Sequence, residues 1–434
     1  MADLNLAADP AAAAKPALTK TNVAAAIAGN VLEFYDFTTY SFFAVMIGQA
    51  YFPSKDPFIS LMLSVAGFGV GFVTRPIGGI VIGAYADRAG RKPAMMLTVV
   101  LMAVGMLIIA LTPPYASIGV AAPVIVVLAR LVQGFALGGE VGPATSFLLE
   151  AAPPGARGLY ASWQLASQGL SSLIAGALGL ALSLTLSAEA MHDWGWRIPF
   201  LVGILIIPVA LVMRAQMPET LDAEAATTHA SLGSVLSTLI REHARPFLLS
   251  FLLISSGTIS TYVMNYMTTY AITTLKLPTS VSIAATLVLG LCIFIFSLLG
   301  GWLSDRFGRK PLLLWPKLIG AVAVYPAFML INAEKGAASL LGVTGVLAAI
   351  GSLGSVALVI IPELMPASVR SAGLAVSYAL GVTVFGATAQ PIVTWLIHAT
   401  GDPLSPAWYL IFASVIGIIA ILMMPETRNA PLKP

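Results

Sequence analysis

The sequence predicts an all-α integral membrane protein in which twelve transmembrane helices form two parallel six-helix repeats. Of its 434 residues, 58% are hydrophobic and only 9% are charged, whereas charged residues make up about a quarter of a typical soluble domain. Apolar runs of about 20 residues, long enough to cross a hydrocarbon core of roughly 30 Å, recur along the chain. One charged loop motif also occurs twice, which indicates an internal repeat.

The individual helices follow from breaking the apolar runs at charged and Gly/Pro-rich stretches. Their expected limits are 22–50, 58–86, 93–112, 119–150, 157–186, 196–216, 246–274, 281–304, 311–332, 337–363, 369–399 and 405–424. The polar segment from Met217 to Ala244 is the only long hydrophilic connection and separates six helices from six. We therefore expect helix bundles at 22–216 and 246–424, a cytoplasmic linker at 217–245, and tails at 1–21 and 425–434.

The distribution of Lys and Arg predicts the orientation, because these residues favour cytoplasmic loops. If the N-terminus is cytoplasmic, the even-numbered connections hold most of the cations: Arg88, Arg91, Lys92, Arg157, Arg214, Arg241, Arg245, Arg306, Arg309, Lys310 and Arg370. The odd-numbered connections hold only Lys55, Arg197, Lys276 and Lys335. Both termini are therefore expected in the cytoplasm. The Ala-rich stretch 1–21 lacks an apolar signal core and is predicted to be a disordered tail.

The repeat is carried by three pairs of motifs. GAYADRAGRKP, ending at Pro93, recurs as GWLSDRFGRKP, ending at Pro311. The other two pairs are LLEAAPPGARG with IPELMPASVRS, which hold Glu150, Arg157, Glu363 and Arg370, and the MPET at Met217 with that at Met424. Repeats spaced by six helices keep their membrane orientation, so an axis along the membrane normal should relate the two halves. That arrangement is typical of transporters with a binding site between the halves near the midplane.

These motifs resemble those of a known family over residues 22–427. The two DRxGRK loops, together with Arg130 followed by QGF, resemble the major facilitator superfamily. Within it, GNVLEFYDFTTY, RLVQGFALGGEVG and WGWRIPF resemble the metabolite:proton symporter subfamily. The resemblance implies the major facilitator fold and import of citrate, related carboxylates, shikimate or betaines with protons.

The repeated loop charges are interpreted as structural and gating groups, because a substrate site needs no duplication. Gly90 and Gly308 let the loops turn tightly, while Asp87 or Asp305 can pair with an Arg or meet a helix N-terminus. We expect these groups to latch helices in one transport state. The set is Asp87, Arg88, Gly90, Arg91, Glu150 and Arg157 in the first half, and Asp305, Arg306, Gly308, Arg309, Glu363 and Arg370 in the second.

Charges without a repeat partner are more informative about function, because ionisable groups inside a membrane are costly. They are Glu33, Asp36, Arg75, Arg130, Glu140 and Lys317. Aligning the halves places Arg130 opposite Val343 and Glu140 opposite Leu353, so symmetry does not explain these charges.

Proton coupling is predicted for Asp36 and Glu33, with Glu140 as a further candidate. Asp36 and Glu33 lie three residues apart on one helix, and two close carboxylates in a low dielectric favour a bound proton. Arg75 and Arg130 lie too deep to reach the headgroups, and their planar forks suit carboxylates. We expect them to bind an anionic substrate or to neutralise the nearby acids.

Uncharged polar side chains are expected to complete the binding site. Gln164 and Gln168, one turn apart, are predicted to face the same cavity. The other substrate-binding candidates are Tyr40, Gln133, Asn265, Tyr266 and Tyr378. Lys317 is instead expected to snorkel to the cytoplasmic interface, since it lies only about two turns beyond Lys310.

The leading hypothesis is proton-coupled import of a small organic anion, in first place a di- or tricarboxylate such as citrate. Two alternatives stay open: symport of proline, betaine or a shikimate-like acid, and proton-driven efflux. The chain contains no GxxxxGK[ST], HExxH or cysteine cluster, so we expect no enzymatic activity, ATP-driven pumping, cofactor or metal. The expected partners are the solute, protons and the lipid of a bacterial-type inner membrane, with no nucleic acid, and the protein is expected to be monomeric.

Overall fold

A computed structural model describes residues 20–89, 91–138, 145, 148–149, 151–153, 155–215, 232–365 and 370–428. This part of the chain is almost entirely helical and forms twelve membrane-crossing segments, which we number α1 to α12. The predicted all-α membrane fold with two sets of six helices is confirmed.

The first half is built from six segments. They are α1 (Lys20–Phe42 and Ala44–Tyr51), α2 (Pro57–Val73 and Arg75–Ala89), α3 (Arg91–Leu111), α4 (Ala121–Leu137), α5 (Arg157–Thr185) and α6 (Ile198–Ala215). Short helices at Tyr115–Ile118 and Ala188–Asp193 and a 3₁₀ turn at Gly195–Arg197 lie in the connections. Asp56 caps α2, because its Oδ1 accepts a hydrogen bond from the Phe58 N–H at 2.9 Å.

The second half repeats this plan. Its segments are α7 (Ala244–Asn265 and Met267–Thr273), α8 (Thr279–Phe307), α9 (Arg309–Glu334), α10 (Ala337–Leu353 and Ala357–Leu364), α11 (Arg370–Gly381 and Ala387–Thr400, joined by a π-helical turn at Val382–Gly386) and α12 (Ser405–Met423). The expected linker 217–245 contains a helix, Leu232–Arg241. The expected fourth helix extends to residue 150, but most of 139–150 lies outside the described residues.

The outer surface matches a lipid environment. Within the described residues, nine helices are each long and apolar enough to cross a bilayer. Large apolar side chains point outwards around the bundle, including Val322 at 77% and Leu205 at 74% relative exposure. Such a surface is costly in water and favourable against lipid tails.

The two halves meet along two helix pairs, α5 with α8 and α2 with α11. Gly169 on α5 and Gly290 on α8 face each other so closely that a Cβ on Gly290 would lie 2.7 Å from the Gly169 carbonyl oxygen. A Cβ on Gly169 would lie 2.9 Å from the Gly290 carbonyl oxygen. Because both residues lack a side chain, the backbones touch directly. These two seams leave space between the halves for a site lined by the remaining helices.

Candidate functional site

A buried ion pair joins α1 to α4 in the first half. The Arg130 Nη1 lies 3.0 Å from Asp36 Oδ2, and neither side chain is exposed. The same Nη1 donates a hydrogen bond of 2.7 Å to Gln133 Oε1. Since a single buried charge in a membrane is costly, the Asp36 carboxylate compensates the Arg130 guanidinium and holds α1 against α4.

Aromatic rings surround the Arg130 guanidinium. Its centre lies 4.5 Å from the Phe37 ring centroid, 4.6 Å from that of Tyr40 and 5.6 Å from that of Phe68. These rings attract the cation through their π-faces. The Tyr40 hydroxyl donates to the Ser64 carbonyl oxygen at 3.3 Å, and its side chain is fully buried. Tyr40, a predicted substrate ligand, therefore packs against Arg130 and lines neither of the cavities described below.

Arg75 is placed differently. It begins the second part of α2, directly after the helix is interrupted at Thr74, and is 5% exposed. Its guanidinium lies 4.1 Å from the Phe72 ring centroid and 4.6 Å from that of Phe37. Among the residues that the structure describes, no carboxylate lies within 4.0 Å of it, and its Nε and Nη2 make no hydrogen bond.

The polar neighbours of Arg75 come from the second half. Among the described residues, they are the phenol groups of Tyr262 on α7 and Tyr378 on α11. Arg75 thus faces the opposite bundle as a cation with neutral partners. Such a group is a ready receptor for an anionic ligand.

A cavity of about 240 Å³ opens beside these tyrosines. Phe34, Leu165 and Gln168 line it from the first half, and Tyr262, Lys317 and Tyr378 are among its lining residues from the second. A smaller space of about 20 Å³, bordered by Phe37, Gln168 and Asn265, also touches Tyr262. The structure therefore brings three of the predicted ligands, Gln168, Asn265 and Tyr378, to the space between the bundles.

Of the uncharged predicted ligands, Gln133, Gln164 and Tyr266 join Tyr40 in lining neither cavity. Gln164 Nε2 donates to Asn30 Oδ1 at 2.9 Å, while Asn30 Nδ2 donates back to the Gln164 carbonyl oxygen at 3.1 Å. The prediction that Gln164 shares a cavity with Gln168 is wrong, because Asn30 offers both a donor and an acceptor and holds α1 to α5. Tyr266 similarly accepts a hydrogen bond of 3.0 Å from Thr394 on α11.

Of the two remaining acids, Glu33 lies within the described residues and Glu140 does not. Glu33 is buried on α1 with 2% exposure, one turn before Asp36. Glu140, the further proton candidate, lies outside the described residues. The coupling predicted between Glu33 and Asp36 stays a prediction, whereas Asp36 itself is engaged by Arg130.

Two residues of the cavity wall were missed from sequence. Tyr262 belongs to the polar face of SSGTISTYVMNYMTTY, but the aromatic cluster that it joins with Phe68 and Phe72 is visible only in three dimensions. The prediction that Lys317 snorkels is wrong, because its Nζ lies 3.4 Å from Ser260 Oγ on α7 and the side chain lines the cavity. The available signal was the small residue Gly417 on α12, which leaves room for the Lys317 stem.

A cluster at the end of the bundle that carries residues 87–93 and 305–311, here called the basic end, links the halves. Asp305 accepts hydrogen bonds from the N–H groups of Gly158 at 2.8 Å and Leu159 at 2.9 Å, at the start of α5. Its Oδ1 also lies 2.7 Å from Arg309 Nη1. Asp305 thus meets both an Arg and a helix N-terminus, the two contacts expected from the sequence.

Several other residues of the predicted loop motif can also be located at the basic end. Arg309 Nη2 lies 3.6 Å from Glu363 Oε1, Arg306 stacks over Trp302 at 3.9 Å, and Arg157 is exposed. Gly308 has φ +108°, a conformation that favours glycine. Residues of the predicted motif whose side chains lie outside the described part are Asp87, Arg88, Gly90, Arg91, Glu150 and Arg370.

Two six-helix halves, close-packed seams, a cavity lined from both halves and the family match define a membrane transporter of the major facilitator type. The chain belongs to the sugar (and other) transporter family, whose model matches residues 21–222 and 215–434. The predicted superfamily resemblance is confirmed.

Curated relatives and solved structures agree with this assignment. The chain is 38% identical over 394 residues to the citrate-proton symporter of Klebsiella pneumoniae, covering 90% of this chain and 88% of the relative. It is 31% identical over 430 residues to the glycine betaine/proline/ectoine/pipecolic acid transporter OusA of Dickeya dadantii, covering 95% and 84%. The xylose transporter XylE from E. coli, in a partially occluded inward open conformation, shares the fold with a TM-score of 0.72 and 19% identity, covering 95% and 99%.

Proposed function

We propose that the chain imports a small organic anion, in first place a di- or tricarboxylate such as citrate, together with protons. The observation that carries this proposal is Arg75, a buried guanidinium with no carboxylate within 4.0 Å among the described residues. Arg130 is compensated by Asp36, whereas the described neighbours of Arg75 are phenols, aromatic rings and a second cation, Arg130, with no carboxylate among them. A substrate carboxylate would supply the missing charge through a bidentate contact.

The relatives support an anionic solute. Two of them, at 38% and 37% identity, are citrate-proton symporters, and they match more closely than the osmolyte transporters at 29–31% identity. A betaine ammonium would need free aromatic faces. The faces of Phe37 and Phe72 are already taken by the Arg75 guanidinium, which favours an anion over a zwitterion.

Proton coupling is proposed to run through the Asp36–Arg130 pair, with Glu33 as its neighbour. Asp36 Oδ1 is buried and has no hydrogen-bond partner among the described residues, so protonation of this oxygen would break no existing hydrogen bond. If substrate draws Arg130 away from Asp36, the carboxylate loses its counter-charge. Binding a proton would then neutralise Asp36 in place of Arg130. Substrate and proton would then be linked through competition for one group.

Transport is proposed to proceed by alternating access, with the bundles at 22–216 and 246–424 moving about the seams between them. Asp305 on α8, through its hydrogen bonds to the start of α5, would hold the basic end closed in one state. The excess of Lys and Arg in that region supports the proposal that it, both termini and the linker lie on the cytoplasmic side, and the membrane is proposed to be a bacterial inner membrane. The protein is proposed to act as a monomer, with the proton as its only coupling ion.

Uptake of labelled citrate into proteoliposomes tests the proposal. An imposed inward proton gradient should drive accumulation, and an uncoupler should abolish it, whereas protein-free liposomes should show neither effect. Excess proline or betaine should leave the uptake unchanged. Accumulation that survives the uncoupler would contradict proton symport, and export of internal citrate against the same gradient would favour efflux by antiport.

A further inference from the structure

Lys317 on α9 is a second cation at the cavity. Its Nζ lies 3.4 Å from Ser260 Oγ on α7, which is a long contact for a hydrogen bond. Its side-chain stem runs beside α12, since a Cβ placed on Gly417 would lie 2.9 Å from Lys317 Cε. The ammonium group is therefore directed from α9 towards the space between α7 and α12, and the residue lines the cavity.

The charge of Lys317 has no counter-ion among the described residues, where no carboxylate lies within 4.0 Å of its Nζ. An ammonium group can donate three hydrogen bonds, and within the described part of the chain only the Ser260 contact is present. The other polar groups around this part of the cavity are mostly hydroxyls, among them Thr258, Ser352, Ser355 and Ser414. Hydroxyls stabilise a charge only weakly, so an ammonium in this place calls for an anion.

Two tyrosines of the cavity wall connect Lys317 in the second half with Arg75 in the first, although Arg75 itself is not among the lining residues. Tyr262 and Tyr378 line the cavity beside Lys317, and the same two phenols are the polar neighbours of Arg75. An extended ligand that contacts both cations would therefore span the boundary between the bundles.

We propose that Lys317 forms a carboxylate subsite in the second half, which binds one carboxylate of the substrate while Arg75 binds another. The proposal rests on the proposed function, because it assumes an organic anion with at least two carboxylates. It assigns a role to α9 in recognising the number of carboxylates. A monocarboxylate could occupy only one of the two cations, and the other would stay uncompensated.

A graded series of ligands tests the subsite. Tricarballylate, glutarate and butyrate share a three-carbon backbone and carry three, two and one carboxylate. Binding is measured in detergent as ligand-dependent thermal stabilisation, and in proteoliposomes as inhibition of citrate uptake. The proteins are the wild type, Lys317→Met, Lys317→Arg and, as a matched control, Lys55→Met at an exposed lysine.

In the wild type and in Lys55→Met, affinity should rise across the series from butyrate to tricarballylate. In Lys317→Met this gain should be at least roughly tenfold smaller, which is the typical loss for one charge-assisted hydrogen bond. Lys317→Arg should recover part of the gain. Without ligand, Lys317→Met should be at least as stable as the wild type, because an uncompensated charge has been removed.

The outcomes separate the two proposals. An equal gain across the series in Lys317→Met and the wild type would overturn the subsite and leave anion transport standing. An equal loss of affinity for all three ligands would also overturn it, because the lysine would then act on folding or cavity shape. If none of the three carboxylates binds the wild type, both proposals are overturned. If Lys317→Met does not fold, Lys317→Gln takes its place under the same criteria.

Discussion

The Oδ2 of Asp36 and the Nη1 of Arg130 lie 3.0 Å apart, with both side chains fully excluded from solvent. Arg75, on the neighbouring α2, has no such partner among the described residues. Two arginines that look equivalent in the sequence are thus chemically different: one is half of a neutral pair, and the other is a cation facing the opposite bundle.

Replacing one member of the Asp36–Arg130 pair should destabilise the protein more than replacing both. Arg130→Met or Asp36→Asn alone leaves the other residue as an unpaired buried charge. This should lower the free energy of unfolding by about 3–5 kcal/mol. The double variant should recover a substantial part of that loss. Thermal unfolding in detergent of all four proteins gives the coupling energy, and strictly additive effects would contradict a direct pair.

Arg75→Gln should weaken anion binding with little effect on stability. No described carboxylate loses a partner, while the bidentate contact proposed for the substrate disappears. We expect the concentration of citrate for half-maximal uptake to rise roughly 10- to 100-fold. Arg245→Gln, at an exposed residue, is the control. Unchanged citrate uptake by Arg75→Gln would remove the main support for an anionic substrate.

The sequence predicted what depends on the chain alone. Apolar runs predicted the twelve helices, the repeated loops predicted the two halves, and depth in the membrane marked Arg75 and Arg130 as important. The partners of side chains were harder to predict, because they depend on how each helix is rotated against its neighbours. Gln164 meets Asn30 and Lys317 turns inwards for that reason, and neither outcome can be read from spacing on one helix.

Asp305→Asn should weaken closure at the basic end. The carboxylate accepts from the Gly158 and Leu159 N–H groups and pairs with Arg309, and an amide cannot reproduce all three contacts. The readout is a single cysteine that replaces the buried Ser162 on α5 in a Cys292→Ser background. This cysteine should react with a thiol reagent roughly tenfold faster when Asp305→Asn is present than when Asp305 is intact.

The matched control for this latch is Asp402→Asn. Its Oδ1 accepts from the Leu404 N–H at 2.8 Å just before α12, so it is also an aspartate that binds backbone N–H groups. It does not join the two halves, and labelling of the Ser162→Cys protein should therefore stay unchanged. Equal acceleration by both substitutions would indicate general destabilisation and would contradict a latch at Asp305.

Gly290→Ala should disturb the seam between α5 and α8. The added Cβ would lie 2.7 Å from the Gly169 carbonyl oxygen, so the helices must separate. Overpacking of this kind costs about 1–3 kcal/mol of stability. Gly342→Ala on α10 is the control, because a Cβ there meets nothing within 4 Å. Thermal unfolding should separate the two variants, and equal stability would argue against close packing at this seam.

Glu426, beyond the end of α12, should contribute a pH-dependent increment of stability. Partial burial of its carboxylate raises its pKa, but hydrogen bonds from four backbone N–H groups, those of Arg309, Arg428, Lys310 and Thr427, lower it below the ordinary value of 4.5. A carboxyl group whose pKa is lower in the folded state stabilises that state above its unfolded pKa. The stabilisation is lost as the pH falls through the folded pKa.

Glu426→Gln should therefore lower the unfolding temperature at neutral pH, and the difference from the wild type should shrink below about pH 4.5. Because Glu426 is exposed, the effect should be modest, a few tenths to about 1 kcal/mol. Thermal unfolding of both proteins across this pH range measures the difference directly, so other titrating groups cancel. A difference that grows as the solution is acidified would show that the carboxylate does not cap the start of α9.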